Sequence, residues 1–211
     1  GLNKWAYLPL SAQNLITEMS QPAFISWLEQ LTGISNLLAD SSLEGSGLHQ
    51  TLPGGFLNIH ADFTVHPRQK NWQRRVNVLI YLNEDWDEKW QGNLELWDEE
   101  MHKCIKSIPP TFNTAVIFST GKKTYHGSPN PLFCPKGTSR KSIALYYYTL
   151  EKKPAKSATN YQARPNDGYK KTLIWLDKKL ISVYSFLKGK LGLSDRLVSS
   201  ILNSFSNKKS K

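Results

Sequence analysis

Apolar residues change their period along this chain, and the changes mark its elements. Between residues 7 and 40 the pattern is helical, with apolar side chains gathered on one face. Two helices are predicted here. One is "LSAQNLITEM", from Leu10. The other is "SQPAFISWLEQLTG", with Ser20 as N-cap, Pro22 in the first turn and Gly33 just past the end. Residues 41–55 are a Ser- and Gly-rich loop with a short strand near Leu48. From 55 to 150 the pattern is mostly that of strands. Gly55–Val65 is entered through Pro53-Gly54-Gly55, another strand ends in Tyr81-Leu82-Asn83, and Thr114–Ser119 is a compact β run closed by Gly121. Ser142–Thr149, opened by Arg140, is the strongest strand in the chain. After residue 150 the composition shifts to a polar, Pro-containing stretch, then to apolar residues at helical spacing interrupted by Gly189 and Gly192, then to a lysine-rich end. The predicted organisation is therefore one β-rich domain with N-terminal helices (1–150), a linker (151–169) and a basic helical extension (170–211).

Charge sharpens that division. Residues 1–150 hold 13 Lys/Arg against 13 Asp/Glu, while residues 151–211 hold 14 against 4, so the net +10 lies wholly in the last 61 residues. The body's charge is thus silent about its substrate. The extension is expected to pack on the barrel or a second subunit, or to lie on an anionic membrane surface. It lacks the aromatic platforms of a nucleic-acid binder. Two cysteines, Cys104 and Cys134, are too few for a disulfide framework, and reduced thiols suggest a cytoplasmic protein. No apolar run is long enough to cross a bilayer.

Candidate chemistry concentrates in three places. His60-Ala61-Asp62 puts an imidazole and a carboxylate at i and i+2, one face of a strand. His126 follows in a turn-rich context, Gly127-Ser128-Pro129-Asn130-Pro131. Arg140-Lys141-Ser142 then opens the last strand, with Arg140 and Ser142 on one face. The separations are 66 residues (126 − 60) and 14 residues (140 − 126). Two imidazoles and one carboxylate leave three positions of an iron(II) ion open, enough for a chelating co-substrate and dioxygen together. A guanidinium grips a carboxylate bidentately, which suits the far end of a 2-oxo diacid. A lone His-x-Asp is usually a surface pair, and Arg140 beside Lys141 also reads as a solvated edge. The ordered set is much harder to obtain by chance. His49, His66 and His102 have no such context and read as ordinary loop or edge residues. The same three ligands also suit zinc, so a metal-dependent hydrolase is a competing reading, although no Glu or His adjoins the ligands as a general base. A non-enzymatic jelly-roll binding module is a third.

"GGFLNIHADF", "VNVLIYLNEDWDEKWQGNLELWD", "TAVIFSTGKKTYHGSPNPL" and "RKSIALYYYT" together resemble the non-haem iron(II), 2-oxoglutarate-dependent dioxygenases, in the branch similar to prolyl 4-hydroxylases. The resemblance runs from about Leu48 to Thr149. It implies an α+β fold, a distorted double-stranded β-helix (jelly-roll, cupin-like) with N-terminal buttressing helices. It implies His60, Asp62 and His126 as iron ligands, Arg140 as 2-oxoglutarate anchor with Ser142 assisting, and Asn58 and Tyr81 in the co-substrate pocket. Collagen-type members carry a lysine as anchor, where this chain has Arg140, and a tyrosine two residues before the first ligand, where it has Asn58. The implied cofactors are iron(II), 2-oxoglutarate and dioxygen, with ascorbate alongside. The implied reaction is hydroxylation of an unactivated C–H bond, first of all in a prolyl residue of a peptide or protein. A free amino acid or small metabolite is the alternative. The acidic, Trp-rich loop 83–93, with Asp85 and Trp86, is then a lid over the substrate, and Trp97 a groove residue.

Overall fold

Pro22 at the first turn and Gly33 at the end delimit the second helix as expected. Gly33 takes a left-handed φ of 69° and its N–H caps Glu29 O. The computed structural model describes residues 1–168. These described residues form two α-helices, α1 (Leu10–Glu18) and α2 (Pro22–Thr32), and ten strands. The N-cap of α2 is Gln21 rather than Ser20. The Ser20 hydroxyl instead donates back to Ile16 O at the end of α1, because the helices follow each other too closely for it to serve the second.

The strands are β1 (Leu38–Ala39), β2 (Gly47–Thr51), β3 (Leu57–Ala61), β4 (Trp72–Tyr81), β5 (Leu94–Trp97), β6 (Cys104–Ile108), β7 (Ala115–Ser119), β8 (His126–Ser128), β9 (Arg140–Leu150) and β10 (Asn160–Tyr161). They form two five-stranded sheets, all antiparallel. One has the order β1-β9-β4-β7 with β2 also on β9, the other β10-β3-β8-β5-β6. This is the distorted double-stranded β-helix expected from the resemblance.

Period-two alternation decides what each face of the larger sheet touches. Val76 and Val78 of β4 and Ile143, Leu145 and Tyr147 of β9 face the helices, where they pack with Ile16, Met19 and Leu28 in the main core. The Tyr147 hydroxyl donates to Met19 O at 2.9 Å. The alternate residues Asn77, Leu79, Arg140, Ser142, Ala144 and Tyr146 line a cavity between the sheets.

Residues 151–164, linker-like in composition, continue the fold. β10 pairs with β3, Asn160 opposite Ala61 and Tyr161 opposite His60. Thr64 and Gln73 hold the preceding turn through Ala155 and Ser157 at 2.6–3.1 Å. Polar side chains elsewhere supply these partners, so local composition does not reveal them. Gly1–Pro165 is one compact unit and Asn166–Lys211 a second. The predicted basic extension, 170–211, and its membrane or subunit contact lie outside the described residues. Among the described residues, no helix is long and apolar enough to cross a membrane.

Candidate metal centre

His126 is the first residue of strand β8, not part of a turn, and it stands directly across from His60 of β3. That cross-strand pairing brings the imidazole rings to 4.6 Å between centroids. Asp62 follows β3 immediately. One donor atom each from His60, Asp62 and His126 lie within 4.8 Å of one another, all buried. Two backbone contacts set the rings. His60 Nδ1 meets Asn58 O at 2.8 Å and His126 Nδ1 meets Thr124 O at 3.2 Å. Carbonyls only accept, so both Nδ1 atoms carry a proton and both Nε2 atoms are left facing Asp62. Those Nε2 atoms lie 3.5 and 3.3 Å from the Asp62 oxygens.

Asp62 is held by a pair that alternation alone hides. Arg74 Nη2 is 2.9 Å from Asp62 Oδ2, and Asn77 Nδ2 donates to the same oxygen at 2.8 Å. Arg74 Nε also donates to Asn77 Oδ1 at 2.9 Å. Strict alternation puts Arg74 and Asn77, three apart, on opposite faces. A bulge in β4 between Arg74 and Val76 brings them together. The guanidinium is sandwiched over the rings of Tyr146, 3.4 Å from its centroid, and Phe63, at 4.7 Å. Burial by itself would raise the Asp62 carboxyl, but hydrogen bonds with His126 and His60, then the charge of Arg74, hold it well below the ordinary carboxylate range. The only hint in the sequence is a doubled arginine inside an apolar strand, where an unpaired charge is not tolerated.

The far end of the cavity belongs to Arg140. Its Nε donates to Gly92 O at 2.8 Å, and its Nη2 to the Tyr81 hydroxyl at 3.1 Å and to Ser128 Oγ at 3.2 Å. No carboxylate pairs with it among the described residues, and burial pushes its pKa down. Burial also raises the Tyr81 phenol, which Arg140 only partly offsets, so Tyr81 keeps its proton. Gly92 fits here because it is a glycine. At φ +89° a Cβ would stand 2.6 Å from Leu132 Cδ2 and 3.2 Å from Arg140 Cδ. The cavity of about 150 Å³ joins this guanidinium to His60, Asp62 and His126, with Ser142 between.

Other predicted residues fall elsewhere. Asn58 is absent from the cavity wall, since β3 slips register between Leu57 and His60 and presents Leu57 instead. Its contribution is the carbonyl that orients His60. Asp85 is exposed. Trp86 is buried against Leu132 and Cys134 and donates to Gln91 O, so it anchors the loop rather than capping a groove. Trp97 packs with Ile59, Ala61 and Tyr125, the opposite face of β3 from His60. His66 is not an edge residue but fully buried, with Nε2 3.3 Å from Asp40 Oδ2. His49 lines the cavity. Tyr161 of β10 brings its ring to 5.4 Å from that of His60.

The donor set of two oriented imidazoles and one ionised carboxylate fits a divalent iron with open positions. The uncompensated, buried Arg140 fits the distal carboxylate of 2-oxoglutarate. Residues 46–148 match the family model of the 2OG-Fe(II) oxygenase superfamily. The prolyl 3-hydroxylase OGFOD1 of Mus musculus is 32% identical over 79 residues, which are 36% of this chain and 14% of that protein. Two solved structures are similar at low identity. A prolyl-4-hydroxylase of Pseudomonas putida is 16% identical, covering 69% of each chain, with a TM-score of 0.44. The viral collagen prolyl hydroxylase of Paramecium Bursaria Chlorella virus-1, in complex with 2OG, is 15% identical, covering 69% of this chain and 78% of that one, with a TM-score of 0.49.

Proposed function

From the premise that residues 46–148 are those of a 2OG-Fe(II) oxygenase, we propose that this chain hydroxylates a prolyl residue in a peptide or protein. The observation that carries the reading is one cavity holding His60, Asp62 and His126 at one end and an unpaired, buried guanidinium at the other. Iron(II), 2-oxoglutarate and dioxygen supply the oxidation, in which 2-oxoglutarate leaves as succinate and carbon dioxide while a C–H bond becomes C–OH. His60 and His126 offer Nε2, oriented by Asn58 O and Thr124 O. Asp62 offers one carboxylate, held in place by Arg74 and Asn77. Arg140 takes the distal carboxylate of 2-oxoglutarate, with Ser142 on its face of the sheet and Tyr81 and Ser128 fixing the guanidinium. Leu79, Leu94, Phe118 and Ala144 make the intervening wall apolar and exclude water from the reacting atoms. The prolyl substrate is supported by the relative named a prolyl 3-hydroxylase.

The test is succinate release from 2-oxoglutarate with iron(II), across proline-containing peptides and free amino acids, with a 16-Da gain sought in each product by mass spectrometry. Peptide turnover with the added oxygen on proline supports the reading. Turnover of free amino acids alone moves the substrate to a small metabolite. Failure to bind 2-oxoglutarate in the presence of a divalent metal refutes the whole assignment.

A further inference from the structure

His49 sits within β2 opposite Ser142 of β9, and Ser142 in turn opposes Tyr81 of β4. Paired residues share a face, so His49, Ser142 and Tyr81 form one cross-sheet row. The next row is Thr51 opposite Arg140. His49, Thr51, Arg140 and Ser142 all line the cavity. His49 Nε2 is buried and has no hydrogen-bond partner among the described residues. A buried polar atom left unmet in the fold calls for a partner such as an ordered water or a ligand. Burial first, and Arg140 with it, lower the His49 pKa, so the ring is neutral near pH 7 and has one N–H to give. Beside an unpaired guanidinium, the group that accepts this N–H and also satisfies the cation is a carboxylate.

We propose that His49 is a ligand of the co-substrate: its Nε2–H donates to the distal carboxylate of 2-oxoglutarate, beside Arg140. A carboxylate has about four acceptor sites, so a donor from the His49 row adds to the guanidinium rather than competing with it. The proposal rests on the reading of Arg140 as anchor, and the experiment separates the two.

Binding is measured by calorimetry on the full chain with manganese(II), which avoids turnover. The probes are 2-oxoglutarate and 2-oxopentanoate, which differ only in the distal carboxylate. His49→Leu should weaken 2-oxoglutarate roughly ten- to hundredfold, the range for a hydrogen bond to a charged group. It should leave 2-oxopentanoate and manganese(II) binding unchanged. His49→Gln, which restores an N–H donor, should recover most of the loss. Because Nε2 has no partner within the fold, ligand-free His49→Leu should melt no lower than the wild type. Unchanged 2-oxoglutarate binding in His49→Leu overturns the proposal. So does an equal loss for both probes, a lower melting point without ligands, or no recovery in His49→Gln. If the wild type itself prefers 2-oxoglutarate no more than 2-oxopentanoate, the Arg140 reading fails first and takes this one with it.

Discussion

Arg74→Met isolates the support beneath the carboxylate ligand. It keeps most of the apolar stem and deletes the charge. The guanidinium is 1% exposed, 2.9 Å from Asp62 Oδ2 and stacked 3.4 Å from the Tyr146 centroid. Removing one partner of a buried ion pair costs roughly 3–5 kcal/mol, since the other charge stays buried. Losing a desolvated cation–π contact adds about 1–2 kcal/mol. Asn77 remains as a donor to Asp62, which offsets part of the loss. A net loss of about 3 kcal/mol follows, near the lower end of the ion-pair range. In a chain of this size each kcal/mol moves Tm by about 2–4 °C, so the metal-free protein should melt roughly 6–12 °C lower. Differential scanning calorimetry at pH 7 reads this directly. Asp62→Asn and the double variant close a cycle. In the double variant the stranded charge is gone, so part of the stability returns and the coupling reaches at least about 1.5 kcal/mol. A loss below about 1 kcal/mol in Arg74→Met, or strict additivity, would refute the account of Arg74 as the partner that holds Asp62.

Four further outcomes follow from the site and its supports. His60→Ala, Asp62→Ala and His126→Ala should each abolish metal-dependent 2-oxoglutarate turnover, and near-normal turnover in any one removes that residue from the ligand set. Arg140→Ala should weaken 2-oxoglutarate binding by roughly 2–5 kcal/mol in a calorimetric titration, with manganese(II) affinity kept and the neighbouring Lys141→Ala without effect. Gly92→Ala forces a side chain at φ +89° into Leu132 and the Arg140 stem, so it should cost about 1–3 kcal/mol of stability and weaken 2-oxoglutarate as well; retention of both would contradict the packing. A chain ending at Thr149 loses β10 and the Thr64 and Gln73 contacts, so it should melt well below one ending at Pro165. Equal melting of the two would mean that residues 151–164 are the spacer their composition suggests.

Where strands alternate regularly, the sequence was a faithful guide. β9 keeps Arg140, Ser142, Ala144 and Tyr146 on the cavity wall and Lys141 exposed, as period two requires. His60 and Asp62 share a face, and Gly33 ends its helix. Legibility failed at register slips and long-range polar contacts. The slip in β3 took Asn58 off the wall, and the bulge in β4 put Arg74 on it. Both depend on one residue gained or lost in a ladder, which no spacing rule records. His49 looked ordinary because its meaning lies in which residues oppose it across β9 and β4. Trp86 and Trp97 looked available to a substrate because their composition was visible and their packing was not. The segment 151–164 read as a spacer because its partners, Thr64, Gln73 and β3, lie far back in the chain.

The pairing of β10 with β3 also governs when the site is complete. His60 lies between β8 and β10, with His126 as one cross-strand neighbour and Tyr161 as the other. Both neighbours come much later in the chain, Tyr161 by 101 residues (161 − 60). At a synthesis rate of about 5–20 residues per second, His60 waits roughly 5–20 s after its own incorporation before Tyr161 is added. Contacts this distant in sequence also form slowly, because loop closure comes before any gain from pairing. For that interval β3 is a nascent strand with its β10 edge open, and His60 lacks one of its two cross-strand neighbours. Order of birth thus makes the candidate metal centre one of the last features of the molecule to take shape.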